Sequence, residues 1–284
     1  MNGPFELAFD DGRTASAIRA ERVADLPAAL SALGLRPPRP ALVLVGGAGG
    51  LDDAELDRVY PVVVRGIAPV AEQCGAIVID GGTDSGVMRL IGRARAELHA
   101  SFPLVGVAAA GTVAMPAAPA MPAAPAAPAA EPGRAGGAML DSNHTHFVLV
   151  PGDTWGSEVP WISWVATELA GNLPSATVVV NGGEIAFADV AQSIDERRRV
   201  VTVAGTGRSA DRLAVAARGA TADERAATLV ASGLITAVGS PEEPDALART
   251  LLGLLGGSSV RPAAGPTTHG ARQEGDSGSG NSSA

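Results

Sequence analysis

The sequence contains no lysine, and all 21 of its basic residues are arginines. Schiff-base chemistry, lysine general bases and the lysine of a phosphate-binding P-loop are therefore excluded. Any phosphate group that the protein binds must be held by arginine, by backbone amides or by the N-terminus of a helix.

Cysteine and aromatic residues are almost as scarce. Cys74 is the single cysteine, which rules out a disulfide within the chain and a cysteine-based metal site and fits a reducing compartment. Aromatic residues make up 3% of the chain, too few to predict a base-stacking surface for nucleic acid. The formal net charge of −9 also argues against duplex nucleic acid and anionic membranes as partners.

Long apolar runs are absent as well. The longest fall well short of the roughly 20 residues of a membrane-spanning helix. Residues 1–10 also lack the basic start and the apolar run of a signal peptide. We therefore expect a cytoplasmic protein without direct membrane insertion.

The residues that are abundant are aliphatic. Hydrophobic residues make up 46% of the 284 positions, enough for one large α/β domain or two small ones. Short aliphatic runs predict strands at Ala41–Val45, Ala76–Ile79, Leu104–Ala108, Phe147–Val150, Thr177–Val180 and Val200–Val203. These runs are continuous rather than alternating, which is typical of parallel strands covered on both faces. Helical spacing between most of them predicts a Rossmann-like α/β fold, a doubly wound, mainly parallel sheet with helices on both faces.

The chain divides into three predicted parts. Residues 1–35 form an N-terminal extension packed on the core, with a hairpin-like edge at Phe5–Ala20. Residues 36–256 form the Rossmann-like domain, with an Ala/Pro-rich surface insertion at 114–137. Residues 257–284 form a disordered Gly/Ser-rich tail. Within the domain, the helical pattern of Asp52–Cys74 should be interrupted at Pro61 and Pro69.

Glycine-rich loops follow five of the predicted strands. They lie at 46–50, 81–82, 151–153, 182–183 and 205–208. The carboxyl ends of parallel strands share one edge of a sheet, and open α/β sheets bind ligands there. A single loop of this kind is explained by tight packing or by a positive φ at its glycine. Five loops at one edge indicate an anionic, nucleotide-like ligand.

The most informative loop is "DGGTDSGVMRLIG", residues 80–92. Thr83 and Ser85 place hydroxyls beside backbone amides, and Gly86 opens a helix whose N-terminus carries a partial positive charge. The segment is therefore predicted to be a phosphate cradle, to which Arg208 from a neighbouring loop adds charge. It has neither the lysine of a P-loop nor the G-x-G-x-x-G order of a dinucleotide fold.

His144 and His146 flank one residue just before a predicted strand. An H-x-H pair can bind a metal, but no third ligand is evident apart from the nearby Asp141, so structural hydrogen bonding is favoured. The run Arg197–Arg199 ends a predicted helix and is interpreted as a solvated helix end.

Several further residues are open to two interpretations. Asp80, Asp84 and Asp153 could hold a ribose hydroxyl or cap helices. Trp155, like the two tryptophans that follow it, is interpreted as packing or a partner surface, although it could stack on a base.

Five segments carry a family resemblance. They are "RPALVLVGGAGG", "DGGTDSGVMRLIG", "MLDSNHTHFVLVPGDTWGSEV", "TVVVNGGEIAFADV" and "VVTVAGTGRSADRLA", all of which lie within Arg39–Ala217. They resemble, in the same order, segments of the N-terminal homology region of melastatin-type TRP channels. The chain is thereby identified as a member of the SLOG superfamily, in the form of a free-standing prokaryotic relative of that (LSDAT) region.

The resemblance implies a Rossmann-like module that senses a nucleotide-derived ligand, of the ADP-ribose type in some channels, with no required cofactor. By analogy it implies a separate membrane effector protein, and it leaves a homo-oligomer open. The candidate ligand-binding residues are Gly46, Gly47, Gly81, Gly82, Thr83, Ser85, Gly86, Val87, Asp153, Thr154, Gly182, Gly183, Gly205, Thr206, Gly207 and Arg208.

The alternative function is hydrolysis of a nucleotide at its N-glycosidic or phosphoribosyl bond, as in the related LOG enzymes. Those enzymes carry a PGGxGTxxE loop, whose best match here is Asn181–Asp189. Ile185 and Ala186 replace the Gly-Thr pair, Asp189 stands in place of the catalytic glutamate, and Glu184 is displaced. Glu184 and Asp189 are therefore weak catalytic candidates, and the altered loop favours binding over catalysis. A third hypothesis, a scaffold, predicts no ligand at all.

Overall fold

A computed structural model of the chain describes residues 3–47, 51–116, 137–220 and 223–256. The predicted Ala/Pro-rich insertion, apart from its two ends, and the predicted tail after 256 lie outside the described residues. The middle of the first glycine loop, residues 48–50, lies outside them as well.

A nine-stranded sheet forms the centre of the molecule. The strands in chain order are β1 (Phe5–Ala8), β2 (Thr14–Arg19), β3 (Ala41–Gly46), β4 (Ile77–Asp80), β5 (Leu104–Ala109), β6 (Val113–Ala114), β7 (Ala138–Met139), β8 (His146–Val150), β9 (Ser175–Val180), β10 (Arg199–Val203) and β11 (Ile235–Val238). The order across the sheet is β1-β2-β8-β5-β4-β3-β9-β10-β11, while β6 and β7 pair separately. Every pairing in the large sheet is parallel except that of β1 with β2.

Helices cover both faces of this sheet. They are α1 (Leu26–Ala32), α2 (Asp53–Pro61), α3 (Ala68–Gln73), α4 (Gly86–Glu97), α5 (Val159–Ala170), α6 (Glu184–Asp195), α7 (Arg208–Ala217), α8 (Glu224–Val230) and α9 (Pro244–Leu255). Apolar residues of α1, α5, α6, α7 and α8 join one core, and those of α2, α3, α4 and α9 join another. The prediction of a doubly wound α/β fold is confirmed.

Strand β3 shows why its apolar run is continuous. Val43 and Val45 enter one core, whereas Leu42 and Leu44 enter the other. Successive side chains of a strand point to opposite faces, so a strand with helices on both sides needs an apolar residue at every position.

The six predicted strands match β3, β4, β5, β8, β9 and β10 to within two residues at each end. The N-terminal hairpin is also present as β1 and β2, and β2 joins the main sheet beside β8. The edge strand β11 was missed, because its run of four residues is short and its two central residues are not buried. Edge strands need fewer apolar residues and so give a weaker pattern.

The prolines mark changes of helix type, so the α-helix is interrupted near both as predicted, but the helical path does not break. Helix α2 runs from Pro61 into a π-helical segment, Val62–Ile67, which continues into α3. A π turn absorbs an extra residue and changes the hydrogen-bonding register, so Pro61 and Pro69 are accommodated within a continuous helical path.

Arg198 corrects another expectation. It is 2% exposed rather than solvated, and its guanidinium donates to the carbonyl and hydroxyl oxygens of Ser163 and to the hydroxyl of Thr167. Burial lowers its pKa to about 10. These bonds tie the start of β10 to α5, so the residue holds the layers together.

The sheet has one switch point, between β3 and β9. From β3 the chain builds outward through β4, β5 and β8 on one side, and from β9 through β10 and β11 on the other. At such a point the loops after the two central strands turn to opposite faces and leave a crevice at the carboxyl edge.

Candidate functional site

A cleft of about 510 Å³ opens at this switch point. It is of the size that small-molecule ligands occupy. Seven predicted ligand-binding residues line it: Gly46, Gly47, Gly81, Thr83, Ser85, Gly183 and Arg208. Both weak catalytic candidates, Glu184 and Asp189, line it as well.

The remaining predicted residues do not line the cleft. They are Gly82, Gly86, Val87, Asp153, Thr154, Gly182, Gly205, Thr206 and Gly207. Two of them show why. Val87 is fully buried against Gly46, and Thr206 is fully buried, accepting a hydrogen bond from the Asn181 amide and donating one to the Val203 carbonyl. Such residues support the loops from the side that faces away from the cleft. A sequence motif does not distinguish this supporting role from contact with a ligand.

The loop after β4 is held by hydrogen bonds within the loop and by one to Met139. The amide of Gly82 donates to Asp80 Oδ1 at 2.7 Å, that of Ser85 to the Thr83 carbonyl at 2.7 Å, and that of Asp84 to the Met139 carbonyl at 2.7 Å. These three amides already donate hydrogen bonds within the protein. The predicted phosphate cradle is therefore limited to the other groups of the loop. The Thr83 and Ser85 hydroxyls lie 2.9 Å apart at the cleft wall.

This loop is supported by a buried cluster of three charged side chains, Asp80, Asp141 and His144, called here the His144 cluster. His144 is fully buried, with Nε2 2.8 Å from Asp80 Oδ1 and Nδ1 2.8 Å from Asp141 Oδ2. Burial opposes its charge, but the two carboxylates outweigh burial and raise its pKa to about 9. The imidazolium therefore donates to both aspartates at neutral pH, as the structural interpretation of His144 predicted.

The three aspartates suggested for a ribose are either paired with other side chains or lie outside the cleft. Asp80 lies in the His144 cluster, Asp84 pairs with Arg89 at 2.7 Å, and Asp153 is exposed outside the cleft.

Besides α5, whose N-cap is Glu158, three helices begin at the cleft. The N-cap residues of α4, α6 and α7 are Ser85, Gly183 and Gly207, and none of the three caps its helix with a side-chain hydrogen bond. The first-turn amides of a helix lack intrahelical partners and carry partial positive charge. In α7, those of Ser209 and Ala210 already donate to the Gly182 and Asn181 carbonyls, at 3.5 and 2.8 Å. Arg208, the first residue of α7, adds a full charge, and its Nη2 lies 3.7 Å from where a Cβ on Gly183 would stand.

Two carboxylates, those of Glu158 and Asp189, also line the cleft and give it groups of the opposite charge. Glu158, the N-cap of α5, is 9% exposed, and burial raises its pKa. Asp189 of α6 has an Oδ1 atom that is buried without a hydrogen-bond partner among the described residues. Burial first, and the charge of Glu158 second, raise the pKa of Asp189 to about 7.

Glu184 differs from these two acids. Its side chain is 69% exposed and pairs with Arg225 at 2.6 Å and Arg212 at 3.5 Å. The hydrogen bond from Arg225 lowers its pKa. Asp189 is therefore the better candidate of the two for a general acid or base.

Sequence reasoning missed Glu158 and the apolar lining residues Met88 and Ile162. A signal for Glu158 was present, since it stands in "GDTWGSEV" between a glycine loop and a helix. Trp155 also lines the cleft and is 51% exposed. Trp161 and Trp164 instead pack against each other, with their ring centroids 5.6 Å apart. Packing is confirmed for the last two.

Two further findings concern the described ranges alone. No three His, Cys, Asp or Glu side chains within them are grouped so that they could hold a metal ion. Within the same ranges, no helix is both long enough and apolar enough to cross a bilayer.

The strand order and the cleft at the switch point define a Rossmann-like, doubly wound α/β protein. Within that class, the chain belongs to the family described as "SLOG in TRPM, prokaryote", whose model matches residues 39–249. The family resemblance found in the five segments is confirmed.

Named relatives include ion channels. The mouse protein "Transient receptor potential cation channel subfamily M member 2" is 31% identical over 204 residues, an alignment covering 64% of this chain and 13% of the channel. The "member-like 2" protein of Nematostella vectensis is 29% identical over 197 residues, covering 60% of this chain and 13% of that protein. The aligned region is thus a small part of each relative.

One solved structure superposes loosely on the chain. It is a molybdenum cofactor binding protein from Rippkaea orientalis, with a TM-score of 0.45 and 11% identity, covering 76% of this chain and 98% of that one. The fold assignment therefore rests on the strand order described above.

Proposed function

We propose that the chain binds a nucleotide-derived anionic ligand in the switch-point cleft and acts as a sensing module. The observation that carries the proposal is the convergence of three helix N-termini without side-chain caps and Arg208 on one cleft. Helix N-termini are ready-made sites for phosphate, and an arginine beside them adds bidentate hydrogen bonds.

The cleft also suits the rest of such a ligand. Its volume of about 510 Å³ accommodates a nucleoside phosphate, and Trp155 offers an exposed ring at its wall. We propose an ADP-ribose-like or related nucleotide. We further propose that the chain works in the cytoplasm and reports to a separate membrane protein, because its relatives are named as cation channels.

The test is calorimetric titration of adenosine 5′-monophosphate and ADP-ribose into the parent chain and two variants. Arg208→Ala should weaken binding of a true ligand by about 1.5–3 kcal/mol, the range for hydrogen bonds to a charged group. Arg218→Ala is the matched control, because it removes the same charge from the far end of α7, outside the cleft. Equal affinity of Arg208→Ala and the parent would place the clamp elsewhere.

One observation favours a second function, hydrolysis of the N-glycosidic bond. Asp189 aligns with the catalytic glutamate of LOG enzymes, lines the cleft and has its pKa raised to about 7, near the value that suits a general acid or base. Incubation with nucleoside monophosphates, followed by chromatography for free base, separates the two functions. Sensing predicts no turnover, whereas turnover that is lost in Asp189→Asn would establish hydrolysis.

A further inference from the structure

The cleft carries charges of both signs, and they come from different elements. The three helix N-termini and Arg208 supply the positive part. Glu158, at the start of α5, and Asp189, in the second turn of α6, supply carboxylates to the same cavity. A purely anionic ligand explains the first set but not the second.

The Oδ1 atom of Asp189 is buried and has no hydrogen-bond partner within the described part of the chain. A buried acceptor without a partner costs free energy, and such atoms are rare enough in folded proteins to need an explanation. Glu158 nearby raises that cost, since two carboxylates repel each other.

The chemistry of the two side chains defines what they can bind. An ionised carboxylate only accepts hydrogen bonds, so its ligand must present donors rather than phosphate oxygens. Glu158 Oε2 already accepts one bond, from the Gly156 amide at 3.0 Å, which fixes that carboxylate in place. A nucleotide carries two adjacent donors at one sugar, its 2′ and 3′ hydroxyls, at a short distance from its phosphate.

We infer that Glu158 and Asp189 bind the vicinal ribose hydroxyls of the nucleotide whose phosphate lies at the helix N-termini. The inference rests on the proposed function and deepens it, because it selects ribonucleotides over nucleotides without the diol. It also replaces Asp80, Asp84 and Asp153, which are engaged elsewhere or lie outside the cleft.

The experiment compares two probes that differ only in the diol, adenosine 5′-monophosphate and its 2′,3′-dideoxy analogue, by calorimetric titration at pH 8. The parent chain should bind the ribonucleotide roughly ten-fold or more tightly than the analogue, as expected of hydrogen bonds to charged groups. Asp189→Asn and Glu158→Gln should each weaken the ribonucleotide alone and bring the affinity ratio towards one.

Asp195→Asn is the matched control. It makes the same chemical change as Asp189→Asn at the last residue of the same helix α6, where the carboxylate is exposed and lies outside the cleft. The affinity ratio should therefore equal that of the parent.

The outcomes separate the inference from the function on which it rests. Equal binding of both probes by the parent chain overturns the diol assignment and leaves nucleotide binding in place. An unchanged ratio in both Asp189→Asn and Glu158→Gln also overturns it. Binding of neither probe contradicts nucleoside monophosphate binding itself, and the diol assignment falls with it. The comparison on the parent chain decides the matter even if a variant fails to fold.

Discussion

Asp189 places a carboxylate oxygen in the protein interior without a partner among the described residues. Its pKa is raised from 3.8 to about 7, so the folded chain favours the protonated form. The resulting penalty is absent below pH 4, grows as the pH rises from about 4 to 7, and is complete above pH 7.

We therefore expect Asp189→Asn to increase the free energy of unfolding at pH 8 by about 1–3 kcal/mol, because the amide needs no ionic desolvation. Urea unfolding at pH 8 and pH 5 measures the effect, which should be smaller at pH 5. A variant that is less stable than the parent at both pH values would mean that Asp189 has a structural partner.

Two glycines of the cleft are predicted to respond differently to a methyl group. A Cβ on Gly46 would lie 2.3 Å from Val87 Cγ2 and 2.6 Å from the Val180 carbonyl oxygen, whereas a Cβ on Gly81 would meet nothing within 4 Å. Gly46→Ala should lower the free energy of unfolding by about 1–3 kcal/mol through overpacking, and Gly81→Ala should leave it within about 0.5 kcal/mol. Thermal unfolding of the two variants checks the difference, and equal losses would contradict the packing described here.

At the scale of elements, the loop after β4 depends on a segment far along the chain. Residues 139–144 contact it through the Asp84–Met139 and Gly82–Asp141 backbone hydrogen bonds and through the His144 cluster. This segment follows the predicted insertion, so the ends of the insertion meet at the cleft. Ala138, which pairs with Val113, and Thr112 are both part of the lining.

The His144 cluster makes this contact sensitive to pH. The pKa of His144 rises from 6.5 to about 9 on folding, so its stabilising contribution is complete below pH 6.5 and is lost as the pH rises towards and through 9. We expect the free energy of unfolding to fall by about 2 kcal/mol between pH 7 and pH 9 from this group. In His144→Gln that fall should be absent, and the difference between the two unfolding curves cancels the contribution of other groups. Parallel pH profiles would contradict a charged His144.

At the scale of the whole molecule, the sequence predicted most of the sheet and part of the site. Strands such as β3 and β9 are buried on both faces, and that environment leaves a continuous apolar run that is visible in sequence. Glycine loops likewise mark the carboxyl edge of the sheet. The edge strand β11 and the π-helical segment after Pro61 leave no such pattern. Neither element requires an apolar residue at every position.

The site was harder to predict than the fold, for a physical reason. Gly81 and Gly82 are adjacent and identical in type, yet one lines the cleft and the other packs against Gly106 and Phe147. Which side of a loop faces the ligand is decided by tertiary contacts. Glu158 and Asp189 come from helices on either side of β9 in the chain, and only folding brings them to one cavity.

The central claim is that the switch-point cleft holds an anionic nucleotide-type ligand. Native mass spectrometry of the gently purified chain tests it most directly, with Arg208→Ala purified in parallel. We predict a bound small molecule that contains phosphate and ribose in the parent chain, and its loss or strong depletion in Arg208→Ala. A parent chain that binds no phosphate-containing molecule, either as purified or after incubation with a nucleotide panel, would contradict the account.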